Sequence, residues 1–219
     1  VNMQATTLTN MYISLQYVFA NIDGLTTSDH LLWLSGDGSA SATVWTNFSV
    51  VVQQCDFQLQ TTASSTAYAD FVLAHGASLS GATFVIEDTT LLWEDASSAV
   101  NYGHALRIVG DAGYDTYSAV TVTMRNVSMN AINTVGAGHV RFLYVVPGLN
   151  DFANGNVAIH DCRVTCSGLL GYTFAIELKN LTNTDVAVYN AVVDMSSTAT
   201  SGNHVGVIRL RGLMTSSNI

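Results

Sequence analysis

Basic residues are scarce in this chain: seven Lys and Arg stand against sixteen Asp and Glu, a net charge of −9 over 219 residues. A protein that grips nucleic acid needs a basic stripe to neutralise phosphates, and one that docks on anionic lipid needs a polybasic cluster. Neither is present, so no nucleic-acid partner is expected. Charged residues are only 11% and hydrophobic ones 48%, which excludes a disordered chain, since disorder needs the opposite balance. Proline occurs once, at Pro147. Proline removes a ladder donor, so its near absence suits a chain made of strands. Long apolar runs are missing too. The densest, Val140–Leu149, is broken by Arg141 and Pro147, and no membrane span is expected in this segment.

What the chain does have is repetition. Asn156–Cys166 contains the phrase φ-x-φ-x-x-φ-x-φ, with apolar or small residues at Val157, Ile159, Cys162 and Val164. Copies begin at positions 13, 50, 84, 122, 157 and 186, at steps of 37, 34, 38, 35 and 29 residues. A second phrase keeps the same phase: a His or Tyr leader (His30, Tyr68, His104, His139, Tyr172, His204) followed by alternating apolar residues. Repetition at this period signals a solenoid. Period-2 alternation of Val, Ile, Phe and Thr is strand chemistry. The x-x step would turn the apolar set outward in a flat strand, whereas a corner there keeps both halves facing inward.

The expected fold is therefore all-β: a right-handed parallel β-helix solenoid of about six coils, each with three short strands stacked at about 4.8 Å. Polar pieces at Thr61–Thr66, Glu94–Asn101, Asn130–Gly138 and Ser196–Asn203 read as connecting loops. An antiparallel sandwich would need hairpin turns such as Asn-Gly, of which Asn154-Gly155 is the lone near match. The opening VNMQATT has no basic n-region and no apolar h-region. Residues 1–219 are expected to be a single β-helix segment of a longer chain.

The repeats, quoted as VVVQQCDF, VTMRNVSM, VAIHDCRV and VAVYNAVV, resemble right-handed parallel β-helix proteins of the pectate-lyase superfamily. Among surface proteins their phrasing is similar to the dispersed gene family of trypanosomatids, which is usually richer in cysteine and carries a membrane-spanning region not seen here. That resemblance implies a cell-surface rod. For the superfamily it also implies that acidic clusters on neighbouring coils can cleave polysaccharides.

The second corner position reads Tyr17, Gln54, Asp88, Asn126, Asp161 and Asn190. A structural Asx ladder is the expectation, because a sharp corner needs left-handed backbone, and Asn and Asp tolerate it best after glycine. The catalytic alternative uses the same corner. Asp88 and Asp161 would sit two rungs apart, roughly 9.6 Å, near the spacing of inverting glycosidases, with Glu87 and His160 beside them. Stacked oxygens of Glu87, Asp88 and Asp161 are also where calcium would bind, but no metal and no cofactor are expected. Glu87 and Arg125 read as a surface ion pair between adjacent coils. The His column reads as ring stacking at a turn, because a zinc site needs three or four convergent ligands. Cys55 and Cys162 would lie three coils apart, roughly 14 Å, too far for a disulfide, and with Cys166 they read as buried thiols.

Three sequons, at Asn47, Asn126 and Asn180, mark candidate glycosylation sites. With the near absence of lysine they point to an extracellular or cell-surface location. The favoured reading is a non-enzymatic structural or adhesive repeat protein of a surface or filament. It would self-associate, or meet further coils, at its open ends. The alternative is a polysaccharide lyase or glycoside hydrolase. Glycan contact through Trp45, Trp93, Tyr114 and Tyr117 is a variant of the first reading.

Overall fold

The computed structural model describes residues 1–25, 28–36, 43–62, 68–97, 100–110, 115–148, 150–171, 173–199 and 204–219. Every strand pairing among them is parallel. The φ-x-φ phrases pair in chain order: Ile13 with Val50, Val50 with Phe84, Phe84 with Val122, Val122 with Val157 and Val157 with Val186. The fold is a parallel β-solenoid. Six copies of a phrase bound five intervals, so the chain makes about five turns instead of six coils.

Each turn also carries a fourth strand that the repeat reading left out. Thr7–Thr9, Val44–Thr46, Ser78–Ser80, Tyr117–Ser118 and Phe152–Ala153 stack on one another and on Leu181 and Thr182. Runs of two or three residues are too short to show alternation. Their mark lies in the residue that follows: Asn10, Asn47, Gly81, Ala119, Asn154, Asn183 and Ser216 all hold positive φ, from 47 to 64°. The expected corner does the same at Tyr17, Gln54, Asp88, Asn126, Asp161 and Asn190, with φ from 48 to 56°. A turn thus has two left-handed corners, one on each side of the φ-x-φ strand.

The fourth strands supply an interior column, Leu8, Trp45, Leu79, Tyr117, Phe152 and Leu181, all buried. Trp45, Trp93 and Tyr117 are therefore core residues and not a sugar-stacking surface; Tyr114 lies outside the described residues. Asn130–Gly138, expected as a loop, falls within the strand Thr121–Val146. Its polarity serves internal pairing: buried Asn133 donates through Nδ2 to Oδ2 of buried Asp95 at 3.0 Å. Glu94–Asn101 and Ser196–Asn203 likewise begin inside strands, Thr83–Asp95 and Val192–Ala199.

A corner substitution tests the backbone argument. Asn126→Ala is expected to cost about 1–2 kcal/mol of stability, because alanine is strained in the left-handed region, and Asn126→Gly less. Urea unfolding measures both. Equal costs would show that the side-chain bond to Asp88, and not the backbone, sets the corner.

Candidate functional site

The corner residues come together as a ladder. Asn126 Nδ2 donates to Asp88 Oδ1 at 2.8 Å, and Asn190 Nδ2 donates to Asp161 Oδ1 at 2.7 Å. Beside them Glu87, Arg125, His160 and Tyr189 follow one another in register. Arg125 Nη2 lies 3.1 Å from Glu87 Oε2, and its hydrogen bond to Glu87 raises the guanidinium pKa further. The His160 and Tyr189 rings stack at 4.9 Å. The four candidate catalytic residues thus occupy two rungs of the corner, Glu87 and Asp88 on one and His160 and Asp161 two rungs on, each already holding a neighbour from another rung.

Among the described residues no three His, Cys, Asp or Glu side chains gather closely enough to hold a metal ion, which leaves the calcium reading without a ligand set. The three cysteines are free and buried. Burial, and secondarily the charge of Asp194, pushes the Cys166 thiol up to about 12. Such a thiol is inert as a nucleophile. Asn47 and Asn126 sit on exposed corners, whereas Asn180 is half-buried and donates through Nδ2 to the Asn150 carbonyl at 3.0 Å.

A second constellation escaped the sequence reading. It occupies the outer face of the strands Asp29–Ser35, Tyr68–His75 and Tyr102–Val109 and of the strands stacked beyond them. Their pairing steps over one residue per strand: His104 pairs with Asp70 and Leu106 with Val72, passing over Phe71 and Ala105. Phe71 and Val72 are both buried, so the alternation slips by one residue there. The outward residues on either side of the slip, Asp70 and Leu73 or His104 and Arg107, then lean together.

Three columns result. One runs His30, Asp70, His104, Arg141, Phe174; the next runs Trp33, Leu73, Arg107, Tyr144, Glu177, Arg209. The third holds Tyr68, Tyr102 and His139, whose rings stack at 4.8 and 4.6 Å. Ring stacking is thus present, but Tyr102 fills the place expected for His104. The two lie two residues apart, on the same face of a strand, so periodicity could not separate them. His204 is exposed ahead of its strand, and Tyr172 lies outside the described residues.

Two fully buried carboxylates organise this face. His104 Nδ1 donates to Asp70 Oδ1 at 2.7 Å, Arg107 Nη1 donates to Oδ2 at 3.2 Å, and His30 Nδ1 lies 2.9 Å from Oδ2. Burial pushes the Asp70 pKa up, but the His104 bond and the Arg107 charge outweigh it and hold the carboxyl well below the usual range. Burial lowers His104 from 6.5 to about 4 against the pull of Asp70. The ring is therefore neutral at pH 7, with its proton on Nδ1. Three turns beyond Asp70, Glu177 accepts from Arg141 Nε at 2.6 Å and Arg211 Nη1 at 3.1 Å. Burial raises the Glu177 pKa, and these arginines more than reverse that.

A pH dependence follows. Unfolded His104 takes up its proton near pH 6.5, but folded His104 does so only near pH 4. Between these values the unfolded chain binds more protons, so stability falls as pH falls. The loss by pH 4 is roughly 3 kcal/mol, and Asp70 adds to it at lower pH as its carboxylate is protonated. Urea midpoints at pH 7 and pH 4 measure it, and His104→Gln should flatten the profile. An unchanged midpoint would mean that His104 is solvated.

No family model matches the chain, and no curated protein or solved structure does either.

Proposed function

We propose that this chain is a non-enzymatic structural segment of an extracellular rod or filament, built to stack on further coils or on another subunit. The observation that carries this reading is the state of the end turns. Val50, Val52, Cys55 and Phe57 are buried, whereas their counterparts Ile13, Leu15, Val18 and Ala20 in the first turn are only half-buried. Val188, Ala191 and Val193 are half-buried in the last turn, and Val205, Val207 and Met214 are exposed. Apolar interior ending in open parallel edges is a template for more strands.

The corner chemistry supports a structural role, since Asp88 and Asp161 are each committed to an asparagine one rung away. The likeness of the repeat phrase to surface proteins of the pectate-lyase superfamily supports a cell-surface setting, and the exposed sequon asparagine Asn47 suits a glycan there.

The test is the solution state of the chain. Small-angle scattering should show end-to-end growth with concentration, and Val193→Lys with Val207→Lys should return the chain to a monomer. A wild-type chain that stays monomeric at every concentration, with its end strands protected from hydrogen exchange, overturns the proposal.

A further inference from the structure

We infer that the outer face of the early turns holds a binding site for one ring of a neutral, hydroxyl-rich sugar. A pocket of about 260 Å³ opens there, lined by Ser28, His30, Trp33, Tyr68, Leu73 and Arg107 among others. It falls just below the range of sites for drug-sized ligands, which suits a single ring. Its walls are mostly apolar. Tyr68 is covered by Arg107, whose guanidinium carbon sits 4.1 Å from the ring centroid, and by Tyr102 at 4.8 Å. Trp33 meets His30 only edge to face, at 5.1 Å and 64°, leaving its indole open to a ligand.

The polar atoms define the ligand. Trp33 Nε1 and Arg107 Nε are buried and have no protein acceptor. Indole and guanidinium nitrogens donate and cannot accept, so the missing partner must supply oxygen acceptors. Arg107 is already matched by Asp70 at 3.2 Å, and the chain carries −9 overall, so an anion gains no unpaired cation here. A pyranose meets these terms: hydroxyl oxygens accept from the two donors, and its C–H groups pack on the apolar wall at Leu73. This site stands on observations separate from the end turns, so a monomeric chain that binds sugar would remove the stacking proposal and leave this one.

The three tryptophans make the test specific. Trp45 Nε1 donates to the Ala5 carbonyl at 3.2 Å, and Trp93 Nε1 donates to Thr61 Oγ1 at 3.0 Å. Indole N–H cross-peaks of the ¹⁵N-labelled chain would be followed during titration with methyl glucoside, methyl galactoside, methyl mannoside and glucuronate. Each goes to about 100 mM, enough to fill a site with Kd near 10 mM. At least one neutral glycoside should move the Trp33 cross-peak while the other two stay fixed. Followed on the backbone amide cross-peaks of Tyr68, Leu73 and Arg107 in wild type and variant alike, Trp33→Phe should weaken binding about tenfold by removing one donor, with Trp45 and Trp93 reporting an intact fold. No movement with any neutral glycoside, movement with glucuronate alone, or unchanged affinity in Trp33→Phe overturns the inference.

Discussion

Asp70→Asn is expected to destabilise the solenoid by about 3–5 kcal/mol, as removal of one partner from a buried ion pair does. Asp70 is completely buried, and His104, Arg107 and His30 all direct nitrogen atoms at its two oxygens within 3.2 Å. An asparagine of the same shape offers one acceptor where two were used, and sets an NH₂ group against a donor. It also leaves Arg107 without a counter-charge in a poorly solvated place. The cost arises from the charge left behind, so a second change that removes it should recover part of the loss: Asp70→Leu with Arg107→Met is expected to be more stable than Asp70→Asn. Urea unfolding of the three chains at pH 7 decides the matter. A loss below about 1 kcal/mol for Asp70→Asn would mean that water reaches the cluster and screens it.

Trp93→Ala should cost a similar 3–5 kcal/mol, by a different mechanism: it empties the interior instead of unpairing a charge. Trp93 is completely buried and pairs in register with Leu59 below and Ala131 above. Its indole N–H donates to Thr61 Oγ1 at 3.0 Å, so alanine also leaves that hydroxyl without a partner. The ring lies flush against Gly103, where an added Cβ would come within 2.3 Å of Trp93 Cε3. The reverse change follows: Gly103→Ala should cost about 1–3 kcal/mol through overpacking. Combining Gly103→Ala with Trp93→Leu should cost less than the sum of the single changes, because the smaller side chain makes room for the methyl group. Strict additivity would show that the two residues do not share one space.

Much of the fold was legible because a solenoid repeats its folding instructions. Val50, Phe84, Val122 and Val157 recur at one phase, and the x-x step between them has a single solution that keeps both flanks inward. Asp88, Asn126, Asp161 and Asn190 announced the corner before its φ values were known. Thr7–Thr9 and its counterparts were not legible, because three residues carry no period. The buried amide of Asn133 was read as loop chemistry, because composition does not tell whether a polar group faces water or another buried polar group.

The Asp70 cluster marks the division most clearly. The sequence by itself determined that strands form, where the principal corners fall and which side chains alternate inward, since these depend on neighbours two or three residues away. It could not bring His104 and Arg107 onto Asp70, which lie 34 and 37 residues apart along the chain. That contact depends on the register between turns, on loop lengths that vary from turn to turn, and on a one-residue slip at Phe71 that leans the outward columns together. Only the stacked structure decided which rung faces which, because register is set by the packing of whole turns and not by any single strand.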